Sequence, residues 1–196
     1  MSILCLSLLL GACAHHNMNN NINDQTANKT ENSEEQSDKV SKQMSLVNRD
    51  VLITPEEAIR IARKEVKGTV IKLALAFKKG RYIYRVESIT ENEKAEIDIN
   101  ADTGKVLKMK TENLNKGEKT INLKKKKIRL KGLIDPKRAM NTAISEINGT
   151  VTKWELQKRF NQAYYKVEIL DENNRENEMK IDAQTGDIIE VKKEDD

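Results

Sequence analysis

From Thr54 onward the apolar residues follow two alternating spacings, and the same succession of spacings occurs twice. Ala58, Ile59, Ala62 and Val66 recur at helical spacing, with Arg60, Arg63 and Lys64 off the stripe. Thr54-Pro55-Glu56-Glu57 opens that stripe with an N-cap, a proline at the first helical position and a glutamate placed to complete a capping box. Gly68 stands where a C-cap glycine ends a helix. The period then drops to two. Ile71, Leu73, Leu75 and Phe77 share one face of a strand from Val70 to Phe77, and Lys78-Lys79-Gly80-Arg81 turns the chain. Tyr82 to Ile89 returns as a second strand with Tyr84 and Val86 on one face, and Ala95–Ala101 with Lys105–Met109 forms a closing hairpin. The predicted order is α-β-β-β-β.

The hairpin Ile97-Asp98-Ile99-Asn100-Ala101-Asp102-Thr103-Gly104-Lys105-Val106-Leu107 returns as Lys180-Ile181-Asp182-Ala183-Gln184-Thr185-Gly186-Asp187-Ile188-Ile189. Gly104 and Gly186 are structural turn residues. They stand where a three-residue loop, a type I turn followed by a left-handed residue, needs positive φ. Asp102-Thr103 and Gln184-Thr185 would fill the central positions, where a short polar side chain can bond nearby backbone. The rest of the unit recurs as well: Asp135-Pro136 for Thr54-Pro55, Ala139, Met140, Ala143 and Ile147 for the helical stripe, and Gly149 for Gly68. Pro136 follows Pro55 by 81 residues and Gly186 follows Gly104 by 82, so the extra residue falls in the loop Asp171–Arg175. A repeat that preserves cap, stripe, strand faces and turn predicts an α+β fold of two tandem units, each one N-terminal helix on a small antiparallel sheet. A lone unit of about 60 residues is marginal, so the two are expected to pack together.

The chain before the first unit predicts an address, not a fold. Ile3 to Leu10 is apolar but too short to span a bilayer, and suits the core of a secretory signal over residues 1–12. It runs into Leu10-Gly11-Ala12-Cys13, which resembles the bacterial lipobox, making Cys13 the lipid-modified residue of a protein held on the extracytoplasmic face of the cell membrane. No Lys or Arg precedes the apolar run, which places the expected true start upstream. Residues 13–50 are expected to form a disordered tether, since Asn, Gln, Ser, Thr, Glu and Lys with almost no apolar content cannot offset the entropy of ordering. Some 35 residues of such chain reach roughly 30–35 Å. The expected divisions are then a first unit at 51–110, a basic linker at 111–132 and a second unit at 133–196.

Charge sharpens this division. The net charge is +4, yet residues 110–133 carry 9 basic and 2 acidic groups while 134–196 carry 10 and 14, so the basic excess belongs to the linker. A nucleic-acid-binding face would instead gather Lys/Arg among stacking aromatics on a folded surface, and aromatics make up only 4% of the chain. No nucleic-acid partner is expected. Lys124, Lys125, Lys126, Lys127, Arg129 and Lys131, set among Ile121, Leu123, Ile128 and Leu130, read as an extended linker strand whose lysines blunt an exposed edge. The functional alternative is contact of these six with anionic lipid or wall polymer.

The helix opening Ile53-Thr54-Pro55-Glu56-Glu57-Ala58 with Asn100-Ala101-Asp102-Thr103-Gly104, and Ile134-Asp135-Pro136 with Asp182-Ala183-Gln184-Thr185-Gly186, resembles the PepSY domain. This module occurs in secreted and membrane-bound bacterial proteins and in propeptides of thermolysin-like metallopeptidases, and the likeness covers about two-thirds of the chain. The resemblance implies restraint of a peptidase outside the cytoplasm and brings no catalytic residues. One departure is Gln184 in place of Asp102.

Reactive groups are scarce. Both cysteines and both histidines fall in residues 1–16, so thiol catalysis, serine-type triads and imidazole zinc sites are not expected in the folded units. His15 and His16 read as inert parts of the tether. Glu56/Glu57 sit in a helix's first turn, where acids favour the dipole, and Asp98/Asp102 bracket a turn. Asp171 to Glu178 lacks the EF-hand pattern and its glycine, so it reads as a solvated loop. Trp154 matches Leu73 and reads as core, with Lys153, Glu155, Gln157 and Arg159 on a solvated face beside it. The expectation is a non-enzymatic lipoprotein with no metal and no cofactor, binding an extracellular or envelope protein, a peptidase in the first reading. In the alternative it is an envelope scaffold that grips anionic polymer or membrane through the linker.

Overall fold

The computed structural model describes residues 45–115 and 123–194. The apolar leader, Cys13, the histidine pair, most of the tether and residues 116–122 of the linker lie outside them. All described residues belong to one compact unit.

Helix α1 (Pro55–Glu65) precedes β1 (Thr69–Lys78), β2 (Arg81–Ile89), β3 (Glu93–Asn100) and β4 (Val106–Asn113). A single helical turn, α2 (Leu123–Lys126), then leads to α3 (Pro136–Glu146), β5 (Gly149–Arg159), β6 (Gln162–Asp171), β7 (Glu176–Asp182) and β8 (Ile188–Lys192). The α+β order is thus present twice. The two sheets are fused: all eight strands form one antiparallel sheet in the order β4-β3-β2-β1-β5-β6-β7-β8. The first strands of the two repeats are neighbours, and their register is symmetric. Leu73 faces Leu156 and Leu75 faces Trp154, so each residue meets the counterpart of the other, about a centre at Ala74 and Glu155.

Two short arms lock this junction. Both β1 and β5 bulge near their start, between Val70 and Lys72 and between Val151 and Lys153. The arm before each helix donates to the bulged strand of the other repeat: Leu46 N–H to the Val151 carbonyl and Ile128 N–H to the Val70 carbonyl, both at 3.0 Å. Leu46, Val47 and Ile128 are buried. The order therefore starts inside the stretch expected to be tether. The basic run from Leu123 onward is likewise no edge strand, because it makes one helical turn at Leu123–Lys126 and then drops Ile128 into the core. The bulge also settles the phase of β1: Val70 is buried at 1% exposure, and Ile71, expected in the core row, is the extra residue.

The helices cover one face of the sheet, and the core lies between them. Thr54 caps α1 by accepting the Glu57 N–H, while the Glu57 carboxylate turns to Arg60 at 2.7 Å instead of closing the box. Val66 ends α1 in an extended conformation, so Gly68 is not a left-handed C-cap. Gly68 and its counterpart Gly149 are needed for close approach: an added Cβ would lie 2.9 Å from the Ile89 carbonyl oxygen and 2.4 Å from that of Leu170. Trp154 sits at the centre of the core, 2% exposed, edge-on to Tyr84 and Tyr165 at ring-centroid distances of 6.2 and 5.9 Å.

Gly104 and Gly186 adopt φ of 70° and 88°. The loop itself runs over four residues, Ala101 to Gly104, because Asn100 pairs with Lys105 across it and accepts the Gly104 N–H. The side chains that bind the turn are Asn100 and Asp182 at the strand ends. Asn100 Oδ1 accepts the N–H groups of Asp102 and Thr103, and Asp182 Oδ1 accepts those of Gln184 and Thr185. Asp102 points away to Arg49 at 2.8 Å.

Candidate interaction surfaces

Alternation puts every second residue of each strand on the face away from the helices, and that face is a grid of ion pairs. Arg85 grips Asp98 through two hydrogen bonds of 2.7 and 2.8 Å. Lys72 reaches Glu87 at 3.0 Å, Lys153 reaches Glu168 at 2.7 Å, and Lys166 reaches Glu178 at 3.0 Å. Burial works to raise the Glu168 carboxyl, but Lys153 and Lys166 outweigh it and hold the group below the ordinary carboxylate value. At the centre, Glu155 lies between Lys72 and Lys153 at 3.6 and 3.5 Å and is 6% exposed. Glu155 is therefore enclosed by its neighbours, where the alternation predicted a solvated side chain. Ala74 and Ala76 floor a depression of about 240 Å³ beside it.

The sheet has two open edges, β4 and β8, and no described strand pairs with the outer side of either. Both expose apolar residues: Leu107 and Met109 on β4, and Ile188, Ile189 and Val191 on β8. These correspond across the repeats, Leu107 to Ile189 and Met109 to Val191. Met109 lies opposite Ile97 and Val191 opposite Met179, both fully buried, so the apolar face of the sheet continues past the helices to each edge. Period-two alternation predicts strands here and carries no signal of which strand lies outermost.

All six basic residues singled out in the linker are exposed. Of these, Lys125 and Lys126 line a groove of about 420 Å³, together with Gln157, Lys158, Arg159, Phe160 and Tyr164. Asp171 is used locally: its carboxylate accepts from the backbone of Asn173 and Arg175 and from the Arg175 side chain. Its acidity rises chiefly through those backbone bonds. Among the described residues no group of three or more His, Cys, Asp or Glu side chains converges as a metal site, and no helix is long and apolar enough to cross a membrane.

Two stretches, residues 52–110 and 133–192, match the family described as peptidase propeptide and YPEB domain, or PepSY. The chain belongs to the PepSY family. A crystal structure of a candidate lipoprotein from Clostridium difficile 630 is similar at 30% identity, over 77% of this chain and 99% of that one, with a TM-score of 0.71. The YpmB protein of Bacillus subtilis is 17% identical over 71% of this chain and 96% of its own, with a TM-score of 0.32. The YpeB C-terminal domain of Bacillus megaterium is 17% identical over 76% and 68%, with a TM-score of 0.30. None of the curated proteins matches the chain. The matched PepSY description is that of a propeptide-type module and not of a catalytic family.

Proposed function

We propose that this PepSY protein is a lipid-anchored module of the cell envelope that binds a secreted or envelope peptidase and restrains it, without catalysis of its own. The observation that carries the reading is the pair of open sheet edges with apolar residues at equivalent places, Leu107 and Met109 on one and Ile189 and Val191 on the other. An extended segment of a partner can add to such an edge, with main-chain hydrogen bonds supplying affinity and side-chain pockets supplying selectivity. Peptidases bind extended chains as strands, so the geometry suits that class of partner. The propeptide character of the family and the lipoprotein description of the similar Clostridium difficile structure support the setting, as does Cys13 in its lipobox-like context.

The test adds the purified chain, from Ala14 onward, to culture supernatant and measures proteolysis of a casein substrate. The reading expects inhibition, weakened when Met109→Arg and Val191→Arg place charge on the edges. Unchanged proteolysis with the wild-type chain, together with no peptidase recovered on it, would count against the proposal.

A further inference from the structure

The tip of the β5–β6 hairpin puts a bulky aromatic residue where a tight turn needs a left-handed backbone. Arg159 pairs with Gln162, leaving Phe160 and Asn161 as the turn, and Phe160 adopts φ of 55°. A left-handed backbone suits Gly, Asn or Asp and is unfavourable for a bulky aromatic residue. The counterpart position in the first repeat is Lys79, at φ of 52°. Phe160 also gains nothing by burial, since it is 72% exposed, the most exposed aromatic side chain among the described residues. Strain combined with exposure at one residue points to a role outside the fold.

Its surroundings say what it meets. Lys125 and Lys126 from α2 and Lys158 and Arg159 from β5 line one groove with Phe160 and Tyr164, and no carboxylate contributes to that lining. The Arg159 guanidinium lies over the Phe160 ring, 5.6 Å from its centroid. These cations come from two stretches separated by 32 residues (126 to 158) and are brought together by the fold, because α2 packs beside β5. We propose that this end of the molecule docks on an anionic lipid bilayer: the four cations lie against the headgroups, and Phe160 enters the boundary with the acyl chains. Charge alone would suit a hydrophilic polyanion as well. The exposed ring selects the bilayer, because an aromatic side chain gains burial at the headgroup level and nothing from a hydrated polymer. The proposal takes its setting from the envelope location proposed above, but vesicle binding is measured independently of any peptidase or lipid anchor.

The experiment uses the chain from Ala14 onward, which keeps the whole folded unit and lacks the apolar leader that would itself bind lipid. Binding is measured by co-sedimentation with phosphatidylcholine vesicles, with and without phosphatidylglycerol, and thermal unfolding is recorded for each variant. Binding is expected only to the anionic vesicles, and to weaken as salt is raised. Phe160→Gly should leave the melting temperature equal or higher, because it relieves the turn, and should weaken vesicle binding about ten-fold. Lys125→Gln with Lys126→Gln should weaken it about five-fold per residue. Binding that is absent in the wild-type chain, or unchanged in both variants, would overturn the proposal. So would equal affinity for soluble poly(glycerol phosphate) with Phe160→Gly binding as the wild type, since the ligand would then be a wall-type polymer.

Discussion

Trp154 offers the sharpest test of how the two repeats are joined. It belongs to the second repeat, yet it faces Leu75 across the β1–β5 junction and lies edge-on to Tyr84 of the first repeat and Tyr165 of its own. At 2% exposure its replacement by alanine opens a large cavity, and such changes cost about 3–5 kcal/mol. Loss of two edge-to-face ring pairs moves the figure to the upper part of that range, at about 0.5–1.5 kcal/mol each. In a folded unit of this size one kcal/mol shifts the melting temperature by about 2–4 °C, so Trp154→Ala should lower it by roughly 10–15 °C. The assay is thermal unfolding by far-ultraviolet circular dichroism, because the chain has only 1 tryptophan and the variant loses its fluorescence. Hydrogen exchange should speed up in β2 and β3 as much as in β6 and β7. Trp154→Leu, which restores the residue found at the counterpart Leu73, should recover more than half of the loss. A shift below about 3 °C, or faster exchange confined to β5–β8, would refute the shared core.

Other substitutions and conditions follow from the same contacts. Gly149→Ala should destabilise by about 1–3 kcal/mol in urea unfolding and more than Gly68→Ala, because its Cβ would meet a backbone oxygen at 2.4 Å instead of 2.9 Å. Glu155→Gln removes the charge between Lys72 and Lys153, and should cost about 1–2 kcal/mol; both lysines keep a second carboxylate, Glu87 and Glu168, which limits the loss. Burial, with Glu56 and Asp135 nearby, raises the Tyr84 and Tyr165 hydroxyls well above the ordinary value of 10.0. The folded state then holds those protons more tightly, so their contribution is complete below pH 10 and is lost as pH rises beyond it. Urea unfolding between neutral and alkaline pH should show this decline, reduced in Tyr84→Phe. The Asp182 carboxyl is held low by the Gln162 side chain and by the backbone N–H groups of Thr185 and Gln184, against some burial. Its contribution is present above the ordinary 3.8 and fades as pH falls below it. Asp182→Asn, matching Asn100, should remove that acid-side step.

Much of this architecture was legible because local signals were strong and occurred twice. Thr54-Pro55 and Asp135-Pro136 mark helix starts through chemistry that acts within one turn, and α1 and α3 begin there. The period-two alternation located the strands, and the four elements after each helix appear in the expected order. Pairing between repeats was less accessible. A strand's alternation states which residues share a face but not which strand lies beside it, so the β1–β5 junction and the open edges had no local signature. The bulges at Ile71 and Thr152 shifted the phase of two strands without a glycine or proline to announce them. Leu46 and Val47 were hidden because two apolar residues in a polar stretch form no period; their burial depends on a carbonyl freed by a bulge more than 100 residues away at Val151. Glu155 followed the rule for a solvated position and was enclosed instead by lysines from two strands.

Hydrogen exchange on the chain captured with a peptidase from the culture supernatant tests the functional account most directly. Strand addition predicts slowed exchange in Val106–Asn113, in Ile188–Lys192, or in both, with the helices unchanged. Protection confined to other parts of the surface, with both edge strands exchanging as in the free protein, would contradict it.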